Sequence, residues 1–363
     1  MSLHVQWKVI ATLMVMLLCV GSCSPETPAK NAKSEKPAQE KPDNPEKPDK
    51  PEGSTKPEKP AQEEPDKPAK NVKPETPDSS EKPEKPEPRV PAAPATEGII
   101  DHNDTDITEL TAAQINRAKA DLHIAYGHTS HGSQLVSGMQ GLVKFANNGG
   151  KGLNLAKDIF RFAKGGLGGA LDLRDRAMSG DLGHNGDIGW AQKTRAYLKN
   201  PANKAVNVII WSWCGGCSDN TVAGMDKYLH EMTKLEKEYP GVTFVYMTGH
   251  LDHGQDANLK ARNKHIRDYC EKNNKVLYDY ADIESHDPDG KFYEFSNDNC
   301  DFFSGADGKR LGNWAVKWQA SHEEGVDWYR CGSAHSKPLN ANQKAYAAWA
   351  LWVRIAEMRA ASK

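Results

Sequence analysis

The sequence predicts an α/β fold in three layers, α/β/α, with helices on both faces of a mostly parallel sheet. Short runs rich in Val, Ile and aromatic residues alternate with longer amphipathic segments, which is the pattern of strand–helix units. The predicted strands are 122–126, 206–213, 242–247 and 276–280. The first three end in polar clusters, and another cluster precedes the last helix. Since the carboxyl ends of parallel strands share one edge, we expect these clusters to form one site.

Caps and breakers indicate the helices between these strands. Thr111 is a good N-cap for the first helix, and Asn200-Pro201 ends the third. The predicted helices are 111–119, 133–145, 191–198, 219–238, 257–272 and 339–358. Two segments have no clear assignment, the glycine-rich 146–188 and the turn-rich 284–310.

Composition divides the chain into three parts. Residues 1–22 have the pattern of a signal peptide, 23–97 repeat Pro, Lys and Glu, and 98–363 hold the aromatic residues and the periodic segments. The second part has too little apolar surface to fold, so we expect a disordered linker, and the third suffices for one domain. A net charge of −2 with 26% charged residues does not indicate a nucleic-acid partner. The 165–169 glycine run lacks the Lys-Ser/Thr of a phosphate-binding loop, so no cofactor is expected.

The N-terminal segment indicates export and attachment to a membrane. Lys8 precedes an apolar run that is too short to span a bilayer, and Val20-Gly21-Ser22-Cys23 has the pattern of a bacterial lipobox. We therefore expect cleavage before Cys23 and lipidation of its thiol, which would anchor the protein in the cell envelope. Ser24 favours the outer membrane if the source is Gram-negative. The alternative is an ordinary signal peptide with an incidental cysteine.

Ser130 and His335 are the candidate nucleophile and base. Ser130 lies where the first strand leads into a helix, whose first N–H groups stabilise a developing oxyanion. His335 lies in the loop before the last helix, where a histidine can take the proton of the nucleophile. Hydrolases need such a pair at one edge. The alternative roles are an N-cap for Ser130 and a surface position for His335.

The order of these motifs resembles the SGNH (GDSL-like) hydrolase superfamily, and more closely a group of exported bacterial proteins allied to it. The resemblance covers roughly residues 120–360 and implies an SGNH/flavodoxin-like sheet. It also implies that Ser130 attacks an ester carbonyl and that Gly189 donates an N–H to the oxyanion. The chain departs from the family pattern at Gly332, where the acid of the triad is expected. Two alternatives stay open, a serine–histidine dyad without an acid and an acid from elsewhere such as Asp327.

We therefore expect an exported, lipid-anchored hydrolase that removes O-acyl groups from a carbohydrate. Its partners would be the membrane, through the lipid, and a small-molecule or polysaccharide ester. Residues at the strand ends would shape the substrate pocket: His128, His131, Gly215, Asn220 and His250.

Two other functions remain open. The pairs His128/His131 and His250/His253 suggest a metal-dependent hydrolase, because histidines three apart commonly ligate zinc. A non-catalytic carbohydrate-binding domain on an SGNH-like fold is the other, favoured by Gly332 where the acid is expected. Five tryptophans are candidates for stacking on sugar rings, although tryptophans mostly fill cores: Trp211, Trp213, Trp314, Trp318 and Trp328.

The cysteines leave a further question. Five of the seven follow the linker, so at least one is unpaired within the domain. Cys214-Gly215-Gly216-Cys217 favours a structural disulfide or buried thiols over a redox pair.

Overall fold

The structure is a computed structural model that describes residues 97–253 and 256–362. The predicted signal peptide at 1–22, the lipidation site Cys23 and almost all of the 23–97 linker lie outside the described residues. Within those two ranges, no helix has both the length and the apolar character needed to cross a membrane. The described residues therefore belong almost entirely to the predicted domain at 98–363.

A parallel sheet of seven strands lies at the centre of the domain. The strands are β1 (Ile99–Ile100), β2 (His123–Gly127), β3 (Phe162–Ala163), β4 (Leu171–Met178), β5 (Val208–Trp211), β6 (Thr243–Met247) and β7 (Val276–Tyr278). Their order across the sheet is β1-β7-β6-β5-β2-β4-β3, and every neighbouring pair is parallel. The central strand β5 is buried along its whole length, as expected when helices cover both faces. The predicted three-layer α/β class is confirmed.

Helices cover the sheet in two groups. They are α1 (Ala112–Asp121), α2 (Ser133–Asn147), α3 (Gly189–Lys199), α4 (Val222–Glu238), α5 (Asp256–Lys272), α6 (Tyr280–Ser285), α7 (Trp314–Ala320) and α8 (Pro338–Ala361). The long helix α8 packs against α1, α2, α6 and α7, whereas α4 packs against α3 and α5. The six predicted helices are present with small shifts at their ends.

Strand β4 lies inside the glycine-rich segment for which the sequence indicated no structure. Its Asp172 and Arg174 are buried, with exposed fractions of 2% and 9%. The Arg174 guanidinium donates to the Asp172 carboxylate at 3.1 Å, and His123 of β2 lies 2.9 Å from the same carboxylate. Charged side chains are rarely buried unless they are paired. The paired charges interrupt the apolar pattern by which buried strands are recognised.

Residues 286–337, here called the insert, lie between α6 and α8 and have a small core of their own. Besides α7 the insert contains an antiparallel pair, β8 (Asp301–Phe303) and β9 (Arg310–Asn313). Its core is formed by Cys300, Trp314, Ala315, Trp318, Trp328 and, from the start of α8, Leu339. The remaining tryptophans considered for sugar stacking, Trp211 and Trp213, are buried in the main core. All of these indole rings therefore serve packing.

Gly138 allows α2 and α8 to approach closely. A Cβ atom at this position would lie 2.0 Å from the backbone oxygen of Ala341 in α8, which is far inside van der Waals contact. In contrast, a Cβ atom at Gly241, in the loop before β6, would have no heavy atom within 4 Å. The contact of α2 with α8 thus depends on the missing side chain at Gly138.

We predict that Gly138→Ala lowers the free energy of unfolding by about 2–3 kcal/mol, the upper range of overpacking. A gain of about 1 kcal/mol in helix propensity offsets part of the clash. Gly241→Ala is the matched control and should change stability by less than about 0.5 kcal/mol. Denaturant unfolding of the two variants measures both values, and equal stabilities would contradict the close contact.

Candidate active site

The sheet brings the ends of β2 and β5 together around the thiol of Cys214. Cys214 follows β5, and the turn after β2 places Ser130 and His131 beside it. The Ser130 hydroxyl lies 3.1 Å from Cys214 Sγ, and His131 Nδ1 lies 3.3 Å from the same sulfur. Both neighbours come from the segment that leads into α2. The predicted convergence of strand ends is present, with a thiol at its centre.

The insert supplies a carboxylate to the other side of the same imidazole. Asp298 Oδ2 lies 3.0 Å from His131 Nε2. Two residues later, Cys300 is fully buried in the core of the insert, which anchors the turn that carries Asp298. Cys214, His131 and Asp298 therefore form a continuous thiol–imidazole–carboxylate chain. This is the order of groups in cysteine-based catalytic triads.

Two more imidazoles cover the faces of the His131 ring. The ring of His250 stacks on it with centroids 3.6 Å apart, and the ring of His335 stacks with centroids 4.5 Å apart. His250 Nε2 accepts the Gly215 N–H at 3.0 Å, so this nitrogen carries no proton. Its Nδ1 donates to the Leu251 carbonyl at 2.8 Å. His250 is thus a neutral ring with a defined tautomer.

The electrostatics of the site favour an ion pair of thiolate and imidazolium. The hydrogen bond from His131 is the main cause that lowers the pKa of Cys214 to about 6, against partial burial and with help from Ser130 and Thr129. Burial would lower the pKa of His131, but the hydrogen bonds to Asp298 and Cys214 raise it to about 9. Burial and the charge on His131 lower the pKa of His250. Near neutral pH, a charged pair therefore lies beside a neutral ring.

A buried polar network holds the loops that carry these imidazoles. The Lys344 ammonium and the Glu284 carboxylate are fully buried and 2.7 Å apart. Glu284 also accepts the Leu251 N–H at 2.7 Å, which holds the loop that carries His250. Tyr280 Oη lies 2.9 Å from the His131 carbonyl and 2.9 Å from Gln134 Oε1. The backbones on both sides of the thiol are thus tied to one buried ion pair.

The predicted catalytic residues are partly brought together. Ser130 and His335 lie at the same edge, but the hydrogen bond of the Ser130 hydroxyl is to Cys214, and His335 is exposed and stacks on His131. The Gly189 N–H donates to the Asp187 carboxylate at 3.1 Å, which satisfies the donor expected for an oxyanion. Asp327, the other candidate acid, accepts a turn hydrogen bond from the Glu323 N–H at 2.8 Å.

The predicted pocket residues divide in the same way. His131, Gly215 and His250 lie at the thiol. His128 is buried, with Nε2 2.6 Å from Asp175. Asn220 holds the backbone of its own turn by donating to the Gly216 carbonyl at 3.1 Å.

The proposed four-histidine metal cluster is not assembled. The ring of His253 stacks on Phe303 of the insert, with centroids 3.6 Å apart, and His128 is bound to Asp175. Among the described residues, two other groups offer ligand atoms that all lie within 4.8 Å of one another: His131/Asp298/His335 and His102/Asp282/His286. The first of these shares two members with the thiol chain.

The cysteines of the domain are all present as thiols. Cys214, Cys217, Cys270, Cys300 and Cys331 are unpaired. Cys217 is buried, and its Sγ lies 3.3 Å from Asn263 Oδ1, so Cys214 and Cys217 have different environments. The prediction of buried thiols is therefore correct for Cys217. Cys214 is half-buried and is not in a disulfide, so it matches neither predicted alternative.

Neither the triad thiol nor its acid was recognised in the sequence. Cys214 has a usable signal, because it directly follows the predicted apolar strand 206–213 and precedes a Gly-Gly turn. Asp298 has none, since it lies in a turn-rich segment without periodicity.

A scan of protein-family models, a search of curated proteins and a search of solved structures each gave no match. The resemblance to SGNH hydrolases therefore stays a prediction, and the function has to be argued from the site itself.

We predict that iodoacetamide alkylates Cys214 with a pH midpoint near 6. The thiolate is the reactive form, and the fraction of Cys214 present as thiolate decreases when the pH falls below the thiol pKa of about 6. In His131→Gln the midpoint should rise toward the ordinary value of 9.0, since the main stabilising partner is lost. Cys217 is an internal control, because burial raises the pKa of its thiol to about 12. Peptide mapping by mass spectrometry measures each site, and a Cys214 midpoint near 9.0 in the unaltered protein would contradict the ion pair.

Proposed function

We propose that this protein is a thiol-dependent esterase in which Cys214 is the nucleophile. The observation that supports this most strongly is the position of His131, which contacts Cys214 Sγ through one nitrogen and Asp298 through the other. A base that is oriented by a carboxylate and in contact with a thiol is what covalent acyl transfer needs.

The acylation step follows from these contacts. The Cys214 thiolate attacks the ester carbonyl carbon, and the electron pair of the C=O bond moves onto oxygen. When the tetrahedral intermediate collapses, the C–O bond breaks and the imidazolium of His131 gives its proton to the leaving alkoxide. The product is a thioester on Cys214 with a neutral His131, which Asp298 keeps in its orientation.

The N-terminus of α2 is well placed to stabilise the oxyanion. This helix has 15 residues and begins three residues after Ser130, and its N-cap Gly132 makes no side-chain capping hydrogen bond. Its first two N–H groups, those of Ser133 and Gln134, donate to the carbonyls of Ser130 and His131 at 3.1 Å, so the helix acts on the site through its dipole. The positive end of the helix dipole stabilises both the thiolate and the oxyanion.

Ser130 has a supporting role in this mechanism. Its hydroxyl contacts Sγ at 3.1 Å and helps to lower the pKa of Cys214. A hydrogen bond to a charged group contributes about 1.5–3 kcal/mol. Removing this hydroxyl should therefore weaken the site without removing its nucleophile.

Export, the lipid on Cys23, outer-membrane attachment and a carbohydrate O-acyl substrate belong to the same proposal. The lipobox pattern and the Pro/Lys/Glu-rich linker support the first three. The polar surroundings of Cys214, with imidazole, hydroxyl and carboxylate groups, suit a polar alcohol such as a sugar as the leaving group.

We predict that Cys214→Ala lowers the hydrolysis of p-nitrophenyl acetate by about 10⁴-fold or more, the scale seen when a triad nucleophile is removed. Ser130→Ala should lose about 10- to 100-fold, as expected for one hydrogen bond to a charged group. Cys331→Ala, at another half-buried thiol, is the matched control and should retain activity. Loss of activity in Ser130→Ala with retention in Cys214→Ala would instead support Ser130 as the nucleophile.

A metal-dependent hydrolase is the second candidate, favoured by one observation. Ligand atoms of His131, Asp298 and His335 lie within 4.8 Å of one another, a set that suits zinc. A metal there would bind both His131 and Asp298, so it would replace the His131–Asp298 contact on which the thiol mechanism relies.

Dialysis against EDTA distinguishes the two mechanisms. With a thiol nucleophile we predict unchanged activity after chelation and inhibition by added Zn²⁺, which binds thiolate and imidazole. His335→Ala should then reduce activity by less than about tenfold, because His335 only stacks on the base. Activity that is lost on chelation, restored by Zn²⁺ and abolished in His335→Ala would establish the metal mechanism instead.

A further inference from the structure

A second histidine–carboxylate pair lies next to the thiol and has no part in the acylation step. His184, in the loop between β4 and α3, directs Nδ1 toward Asp219 Oδ2 at 2.6 Å. The two side chains are 53% and 36% exposed, so the pair faces solvent. With Nδ1 bound to the carboxylate, Nε2 is the ring nitrogen left for another partner.

The backbone holds this loop against the turn that carries the nucleophile. The Leu182 N–H donates to the Ser212 carbonyl at 2.9 Å, two residues before Cys214. A Cβ atom at Gly216 would lie 3.0 Å from the carbonyl oxygens of Leu182 and Gly183, so the two segments are in close contact. His184 Cε1 lies 3.5 Å from the position of a Cβ atom at Gly215, which follows Cys214 directly. The second imidazole is therefore a neighbour of the thiol.

His131 is poorly suited to activate the group that releases the acyl chain. Its two nitrogens are engaged by Cys214 and Asp298, and its two faces are covered by His250 and His335. A ring held in this way exchanges a proton only with a group beside Sγ, as the leaving alkoxide is, whereas the exposed ring of His184 can meet an acceptor that approaches from solvent. Release of the acyl group requires a base with a free nitrogen.

We infer that His184, oriented by Asp219, is the general base that activates the acceptor hydroxyl when the acyl group leaves Cys214, an inference that rests on the proposed thiol esterase. The acceptor is water or an alcohol such as a sugar hydroxyl. Its oxygen attacks the thioester carbonyl carbon while its proton passes to His184 Nε2. The C–S bond then breaks, its electron pair returns to Sγ as thiolate, and the proton on His184 is lost to solvent or returned to His131.

The charge on Cys214 couples the two pairs. The hydrogen bond that His184 donates to Asp219 is the main cause that raises the pKa of His184, and the negative charges of Asp181 and Cys214 raise it further. Acylation converts the thiolate into a neutral thioester, which removes the contribution of Cys214. The pKa of His184 therefore falls in the acyl-enzyme, and the neutral form that accepts a proton becomes more populated at the step that uses it.

The test separates acylation from release in the full-length protein. p-Nitrophenyl acetate serves as the acyl donor, rapid quenching and intact mass follow acetyl-Cys214, and His184→Gln is compared with the unaltered protein. We expect acetylation of Cys214 within about threefold of normal and release slowed by about 100-fold, so that the acyl-enzyme accumulates. His230→Gln, at an exposed histidine on α4, is the matched control and should behave as the unaltered protein.

Two results would overturn the inference in different ways. If Cys214 of the unaltered protein is never acetylated, the proposed esterase mechanism fails and the inference fails with it. If Cys214 is acetylated normally and His184→Gln releases the acetyl group at the normal rate, the esterase stands and the role of His184 is wrong. Imidazole added to His184→Gln should restore release, because a small base can occupy the vacated space, whereas a variant with a merely distorted loop would show no such rescue.

Discussion

The buried ion pair of Lys344 and Glu284 is the interaction on which the site depends. Moving two charges out of water costs several kcal/mol each, so the pair persists only because further hydrogen bonds satisfy it. Those bonds are made to the Gln134 side chain in α2, the Leu251 N–H after β6 and the Asn340 side chain in α8. These partners lie within five residues of His131, His250 and His335 in the chain. One buried pair thus holds the three segments whose imidazoles stack at the thiol.

In the stack of three imidazoles, one ring carries the charge and a second ring fixes the backbone geometry. His131 carries the proton and the charge because Asp298 and Cys214 favour it, with a pKa of about 9. His250 must be neutral, since it accepts the Gly215 N–H, and the charge on His131 keeps its pKa low. Two adjacent rings of the same chemistry therefore serve opposite purposes. The charged ring activates the thiol, and the neutral ring fixes the backbone of the residue that follows it.

The sequence was sufficient for the parallel sheet and for the edge where the site lies, because apolar runs such as 206–213 report burial directly. The strand pattern also predicted that Ser130, His131 and His250 lie at one edge, because the carboxyl ends of parallel strands share one edge of the sheet. The sequence did not identify Cys214 as the reactive residue, because the pKa of this thiol depends on an imidazole 83 positions away in the chain. The role of Asp298 could not be predicted either, because the turn that carries it is positioned by a local aromatic core and not by a periodic sequence pattern.

The five thiols of the domain differ in the factors that decide reactivity. Burial raises the pKa of Cys217, Cys300 and Cys331 to about 12, and it raises that of Cys270 further, so these four stay protonated and unreactive. Cys214 alone among the described thiols combines partial exposure with a cationic neighbour and a helix N-terminus. The proposed export would place the protein in an oxidising environment, in which protonated and buried thiols resist disulfide formation. The structure therefore concentrates thiol reactivity at the one position where an imidazole and a carboxylate are in place to use it.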